Sequence, residues 1–108
     1  MKNGDVWLVD LSDAKGHEQR GVRPAIIMGG ANGLTLVVPL TSSMGSARFS
    51  HTYILTPTPH NGLDVESIAL VFQIVTLDQD RFQHRIGTIS EPQRLAIVAL
   101  IRDLLDLD

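Results

Sequence analysis

A chain of 108 residues with a formal net charge of −3 and 44 % apolar residues has the size of one domain, expected to span residues 1–108, and can fold without crosslinks. It contains no cysteine, which excludes thiol catalysis, thiolate metal sites and disulfide frameworks. The longest apolar runs, such as residues 95–101, fall far short of the roughly 18 residues that a membrane span needs, and the start Met1-Lys2-Asn3-Gly4-Asp5 is no signal peptide; a cytoplasmic protein with no membrane partner is expected.

Short apolar runs punctuated by turn residues dominate the chain, without internal repeats or low-complexity tracts. Val6-Trp7-Leu8-Val9 reads as a strand, and residues 12–22, with Gly16 and Gly21, as a long polar loop. Residues 24–28 read as a second strand, since proline is tolerated at a strand's first position. Gly29-Gly30-Ala31-Asn32-Gly33 is then a tight hairpin connection into a third strand over 34–40. Residues 41–46 form a second polar loop and 49–55 a fourth strand. Pro57, Pro59 and Asn61-Gly62 keep 56–62 irregular. The apolar stretch 67–75 reads as a central strand, followed by a turn over 78–82 and a last strand over 84–89.

The end of the chain changes period. Ser90-Glu91-Pro92-Gln93 combines a capping serine, an early proline and a glutamine three positions after the serine, which marks a helix start. Ile97, Leu100, Ile101 and Leu104 then recur at helical spacing. Five to six short strands and one C-terminal amphipathic helix predict a mainly β (α+β) fold, a small barrel covered by a helix.

The overall acidity argues at first sight against a nucleic-acid partner, because phosphate binding draws on lysine and arginine. The distribution matters more. Residues 1–60 carry Lys2, Lys15, Arg20, Arg23 and Arg48 against Asp5, Asp10, Asp13 and Glu18, whereas the acidic excess lies in the second half and ends at Asp103, Asp106 and Asp108. The loop Lys15-Gly16-His17-Glu18-Gln19-Arg20-Gly21-Val22-Arg23-Pro24 gathers cations and an imidazole. Pro24 biases Arg23 toward an extended backbone, so that its guanidinium is offered at a strand edge. His51, His60 and His84 have no partner at metal-ligand spacing, and Asp78-Gln79-Asp80 is a sparse carboxylate pair that more often caps a turn, so neither a metal nor another cofactor is expected.

Residues 4–11, Gly4-Asp5-Val6-Trp7-Leu8-Val9-Asp10-Leu11, followed by residues 16–24, resemble the N-terminal signature of the MazF/PemK (Kid) toxin family. Val37-Val38-Pro39-Leu40-Thr41-Ser42 matches the family's third-strand motif, and Gln73-Ile74-Val75-Thr76-Leu77-Asp78 its later "Q-x-x-T-x-D" segment. The resemblance runs through nearly the whole chain in order. It implies an SH3-like barrel, a homodimer, sequence-specific cleavage of single-stranded RNA and inhibition by a cognate antitoxin. Cleavage would follow attack by the ribose 2′-hydroxyl, leaving a 2′,3′-cyclic phosphate and a 5′-hydroxyl without any metal.

The family's catalytic arginine and threonine fall on Arg23 and Thr41. A fixed guanidinium suits the negative charge that gathers on phosphate oxygens, and a threonine hydroxyl can donate to the same atoms. His17, as an imidazole of ordinary pKa near 6.5, is a candidate general base; Glu18 is its rival, ranked as a helper. Glu18, Gln19, Arg20, Ser42, Gln73, Thr76 and Arg81 are the expected substrate-binding residues. The Kid branch carries "R-C-D-Q" where this chain has Leu70-Val71-Phe72-Gln73, so that branch's acid–base pair is absent here. Two other readings keep the barrel without the chemistry: a gyrase poison resembling CcdB, whose tryptophan-containing tail is missing from Leu104-Leu105-Asp106-Leu107-Asp108, and an inactive homologue that still binds antitoxin.

Overall fold

The structure, a computed structural model, describes residues 1–12 and 21–107. Among them are seven strands, β1 (Asp5–Asp10), β2 (Val22–Ala31), β3 (Leu34–Thr41), β4 (Thr52–Leu55), β5 (Ser67–Leu70), β6 (Val75–Asp78) and β7 (Phe82–Thr88), and one helix, α1 (Glu91–Leu104). Neighbouring strands run antiparallel in the order β4-β5-β3-β2-β1-β7, and β6 also pairs with β3.

The β2–β3 hairpin is tighter than the run of glycines suggests. Ala31 pairs with Leu34, and the turn is Asn32-Gly33 alone, with φ values of 57° and 80°. Positive φ at both central residues matches the right-handed twist of the flanking strands, and Asn-Gly tolerates it best. The expected central strand over 67–75 is broken. After β5 the chain makes a 3-10 turn, Val71–Gln73, before resuming along the same edge of β3 as β6. Val71 turns fully into the core while Phe72 emerges to the surface; an apolar run without periodicity gave no sign of this break. β4 starts only at Thr52, because a 3-10 turn at Met44–Arg48 and a left-handed His51 (φ 59°) precede it.

Successive strand residues point to opposite faces, and both faces of the central strands are covered. Val6, Ile26, Val38 and Leu40 pack with Ile97 of α1 in one cluster. Val9, Ala25, Ile27 and Val37 pack with Trp7 and Phe82 in the other. Double coverage explains why Ala25-Ile26-Ile27 is apolar throughout. α1 begins with the predicted capping box: Ser90 Oγ accepts from the Gln93 N–H at 3.3 Å, and the Ser90 N–H donates to Gln93 Oε1 at 3.0 Å. Near its other end Asp103 meets His51 Nε2 at 2.8 Å, tying the helix to the start of β4.

The pairing path ends at β4 and β7, and among the described residues a loop rather than a strand ladder spans the gap. Asn61, fully buried, organises that loop: its Oδ1 accepts from the N–H groups of Thr58 and Leu63, each at 3.1 Å, and its Nδ2 donates to Thr56 O at 2.9 Å. The Thr88 N–H then donates to His60 O at 2.8 Å. A Cβ on Gly87 would lie 2.3 Å from the Asn61 carbonyl carbon, and one on Gly62 (φ 69°) 2.0 Å from Ile86 O. Only paired glycines let two backbones approach so closely. The result is a barrel-like sheet with a C-terminal helix, in agreement with the expected SH3-like barrel though with seven strands. No described helix is long and apolar enough to cross a membrane.

Candidate active site

Two residues that cannot donate to a ladder, Pro24 and Pro39, sit where β2 and β3 part company. Ala25–Pro39 is the last pair of that hairpin at this end; beyond it Leu40 and Thr41 pair with Ala69 and Ile68 of β5. The divergence opens a cleft of about 390 Å³. Its walls are the start of β2, the end of β3, the loop at 62–65 and the middle of β7. Leu8, Pro24, Leu40, Leu63 and Ile86 supply apolar surface, and Arg23, Thr41, Ser42, Asp64, Ser67 and His84 supply polar groups.

Three residues expected from the sequence therefore meet in one place. Arg23 is half-buried, Thr41 is 5 % exposed and Ser42 is exposed. Thr41 Oγ1 accepts from the Ser43 N–H at 3.1 Å, a local turn typical of hydroxyl side chains. Accepting that bond leaves the hydroxyl's own hydrogen for an incoming acceptor. His17, Glu18, Gln19 and Arg20 lie outside the described residues. Gln73 in the 3-10 turn after β5, exposed Thr76 on β6 and Arg81 in the turn before β7 do not line the cleft. Thr76 pairs with Leu36, about 16 Å along β3 from Thr41 at the usual strand rise.

Sequence reasoning weighed His84 only as a metal ligand and did not single out Asp64 or Ser67. His84 reaches the cleft because it pairs with Leu8, whose other neighbour is Pro24. No local pattern carries that long-range register. Among the described residues no group of three histidine or carboxylate side chains forms a cation site. At the mouth of the undescribed segment, the hydroxyl and backbone N–H of Ser12 hold the Asp10 carboxyl below its ordinary range.

The architecture is that of small toxin barrels. The structure of MazF (Form-I) from Deinococcus radiodurans matches it with a TM-score of 0.82 at 22 % identity, covering 99 % of this chain and 97 % of that one. A MazE-MazF structure (Form-II) from the same organism matches with a TM-score of 0.71 at 17 % identity, covering 100 % and 97 %. In sequence the chain is 31 % identical over 102 residues to "Endoribonuclease MazF" of Staphylococcus epidermidis, spanning 90 % of this chain and 84 % of that protein. Residues 2–105 match the family model described as "PemK-like, MazF-like toxin of type II toxin-antitoxin system", and the chain belongs to that family.

Proposed function

We propose that this chain is an endoribonuclease toxin that cuts single-stranded RNA at a specific sequence, by attack of a ribose 2′-hydroxyl on the adjoining phosphate and without a metal ion. Family membership and the likeness to a MazF endoribonuclease support the class. The observation that carries the chemistry is the cleft shared by Arg23 and Thr41.

The reaction concentrates negative charge on the phosphate oxygens as the 2′-oxygen attacks. Arg23 offers planar, bidentate donors that stay charged at any working pH. The Thr41 hydroxyl adds a hydrogen bond in a site partly walled by apolar side chains, where such donors are strongest. Ser42 borders the same space. The 2′-hydroxyl proton passes to His17 or Glu18; Glu18, Gln19 and Arg20 also bind the RNA, and Gln73, Thr76 and Arg81 extend the RNA-binding surface away from the reacting phosphate. The products are a 2′,3′-cyclic phosphate and a 5′-hydroxyl.

A cognate antitoxin is the expected partner, by analogy with the MazE-MazF structure, and an acidic flexible segment is the type of chain that would cover a phosphate-binding cleft. A homodimer is consistent with surface aromatics: Phe49 and Phe72 are 44 % and 37 % exposed and stack edge to face at 5.6 Å, the kind of apolar surface that self-association covers. Action on RNA in the cytoplasm completes the reading.

The test is to incubate the purified protein with a mixed RNA pool in EDTA and map the new ends. Cleavage under chelation, with cyclic phosphate ends at a shared short motif, is the expected result. Intact RNA, or cleavage that EDTA abolishes, would overturn it.

A further inference from the structure

We propose that His84 is the general acid of the cleavage, protonating the 5′-oxygen as it leaves; the inference rests on the RNA-cleaving function proposed above.

The departing 5′-oxygen would leave as an alkoxide, too basic to depart readily without a proton. Arg23 cannot supply one, since an arginine side chain does not deprotonate in proteins. Thr41 is buried, with its oxygen committed to the Ser43 N–H, and its role is to donate a hydrogen bond rather than a proton. Asp64, as a carboxylate, accepts. Among the described residues lining the cleft, the imidazole of His84 is the group suited to handing over a proton and recovering it from water.

The strand register puts His84 in range. It pairs with Leu8, which pairs on its other edge with Pro24, the residue after Arg23. Directly opposed residues of antiparallel strands share a face, so the imidazole stands with Leu8 and Pro24, two strand spacings or about 10 Å from the backbone of β2. Arg23, one residue earlier on β2, alternates to the other face, and the two side chains come together at the strand ends, where both line the cleft. His84 is exposed, and its side chain makes no hydrogen bond or ion pair among the described residues. His51, by contrast, is held by Ser50 and Asp103, and His60 uses its backbone carbonyl to hold β7 and does not line the cleft. The charged groups that share the cleft with His84 are Arg23 and Asp64; its neighbour on β7, Arg85, is engaged by Asp5 at 3.4 Å.

The step balances as follows. The 2′-oxygen bonds to phosphorus and gives up its proton to the general base of the reaction proposed above. The bond from phosphorus to the 5′-oxygen breaks, its electron pair stays on that oxygen, and a ring N–H of the His84 imidazolium supplies the proton. His84 is left neutral and takes a proton back from solvent.

The test compares His84→Ala and His84→Gln with the wild type on two RNA oligonucleotides carrying one mapped cleavage site. One has the ordinary 5′-oxygen and the other a sulfur at that bridging position, because a thiolate departs without help from an acid. Single-turnover cleavage of the oxygen substrate should fall about 100-fold in both variants, while the sulfur substrate should be cut within about threefold of the wild-type rate. Equal losses on both substrates, or no loss on either, would overturn the assignment to His84. A wild-type protein that cuts neither RNA would instead overturn the nuclease function itself.

Discussion

Arg23 and Thr41 each lie two residues beyond Ala25–Pro39, the last β2–β3 pair, on strands that separate there, and both line the same cleft. Under the proposed function, a phosphate held there would meet a guanidinium from one strand and a hydroxyl from its neighbour. Replacing Arg23 by alanine should therefore lower the cleavage rate by about 100-fold or more with little change in melting temperature. Arg23→Lys should recover little of it, because an ammonium lacks the planar fork. Single-turnover rates and thermal melts of both variants check this, and full activity in a folded Arg23→Ala protein would remove the mechanism.

Thr41 accepts from the Ser43 N–H and, in the proposed mechanism, would also donate to phosphate. Thr41→Val keeps the shape but loses both the acceptor for Ser43 N–H and the donor to phosphate. The variant should lose about 1 kcal/mol of stability and about 100-fold in rate, whereas Thr41→Ser should restore most of both. Urea unfolding alongside kinetics separates the two roles. If the valine variant lost stability but kept its rate, the hydroxyl would be a turn residue only.

Local chemistry was legible in the sequence and long-range register was not. Ser90 and Gln93 announce the helix because both halves of the capping box lie within one turn, and Asn32-Gly33 announces the hairpin because its backbone demands it. Nothing local says that Val71 will dive inward and split a strand, or that Leu8 will stand between His84 and Pro24. Arg23 and Thr41 were identified through resemblance to a family; the structure adds that one cleft holds them both. Residues 17–20, which carry the candidate base, lie outside the described residues.

The first turn of α1 predicts a pH effect. Hydrogen bonds from Arg94, at 2.6 and 2.9 Å, hold the Glu91 carboxyl below its ordinary value of 4.5. A carboxyl whose folded-state pKa is depressed stabilises the fold fully above its unfolded value, and the contribution is lost as pH falls through the lower folded value. Wild type should thus melt above Glu91→Gln at pH 7, with the gap closing below about pH 4.5 and shrinking in high salt, since the pair is solvent-exposed. A gap that stayed constant down to pH 3 would show that charge is not its source.

Closure of the barrel by a loop gives the sharpest test of the fold. Asn61 to alanine strands the buried N–H of Leu63 and the part-buried N–H of Thr58 and should cost about 2 to 3 kcal/mol. Gly87→Ala attacks the same contact from the other side: its Cβ would lie 2.4 Å from His60 O and 2.3 Å from the Asn61 carbonyl carbon, both backbone atoms that cannot step aside alone. About 3 kcal/mol is expected, at the upper end of overpacking. Because Gly62 and Leu63 form a wall of the cleft, both variants should also cut RNA more slowly at temperatures where they remain folded. Equilibrium unfolding in urea measures the first effect and cleavage rates well below the melting point the second. Should Gly87→Ala unfold at the wild-type urea midpoint, the loop would not be seated against β7, and the cleft would lack one of its walls.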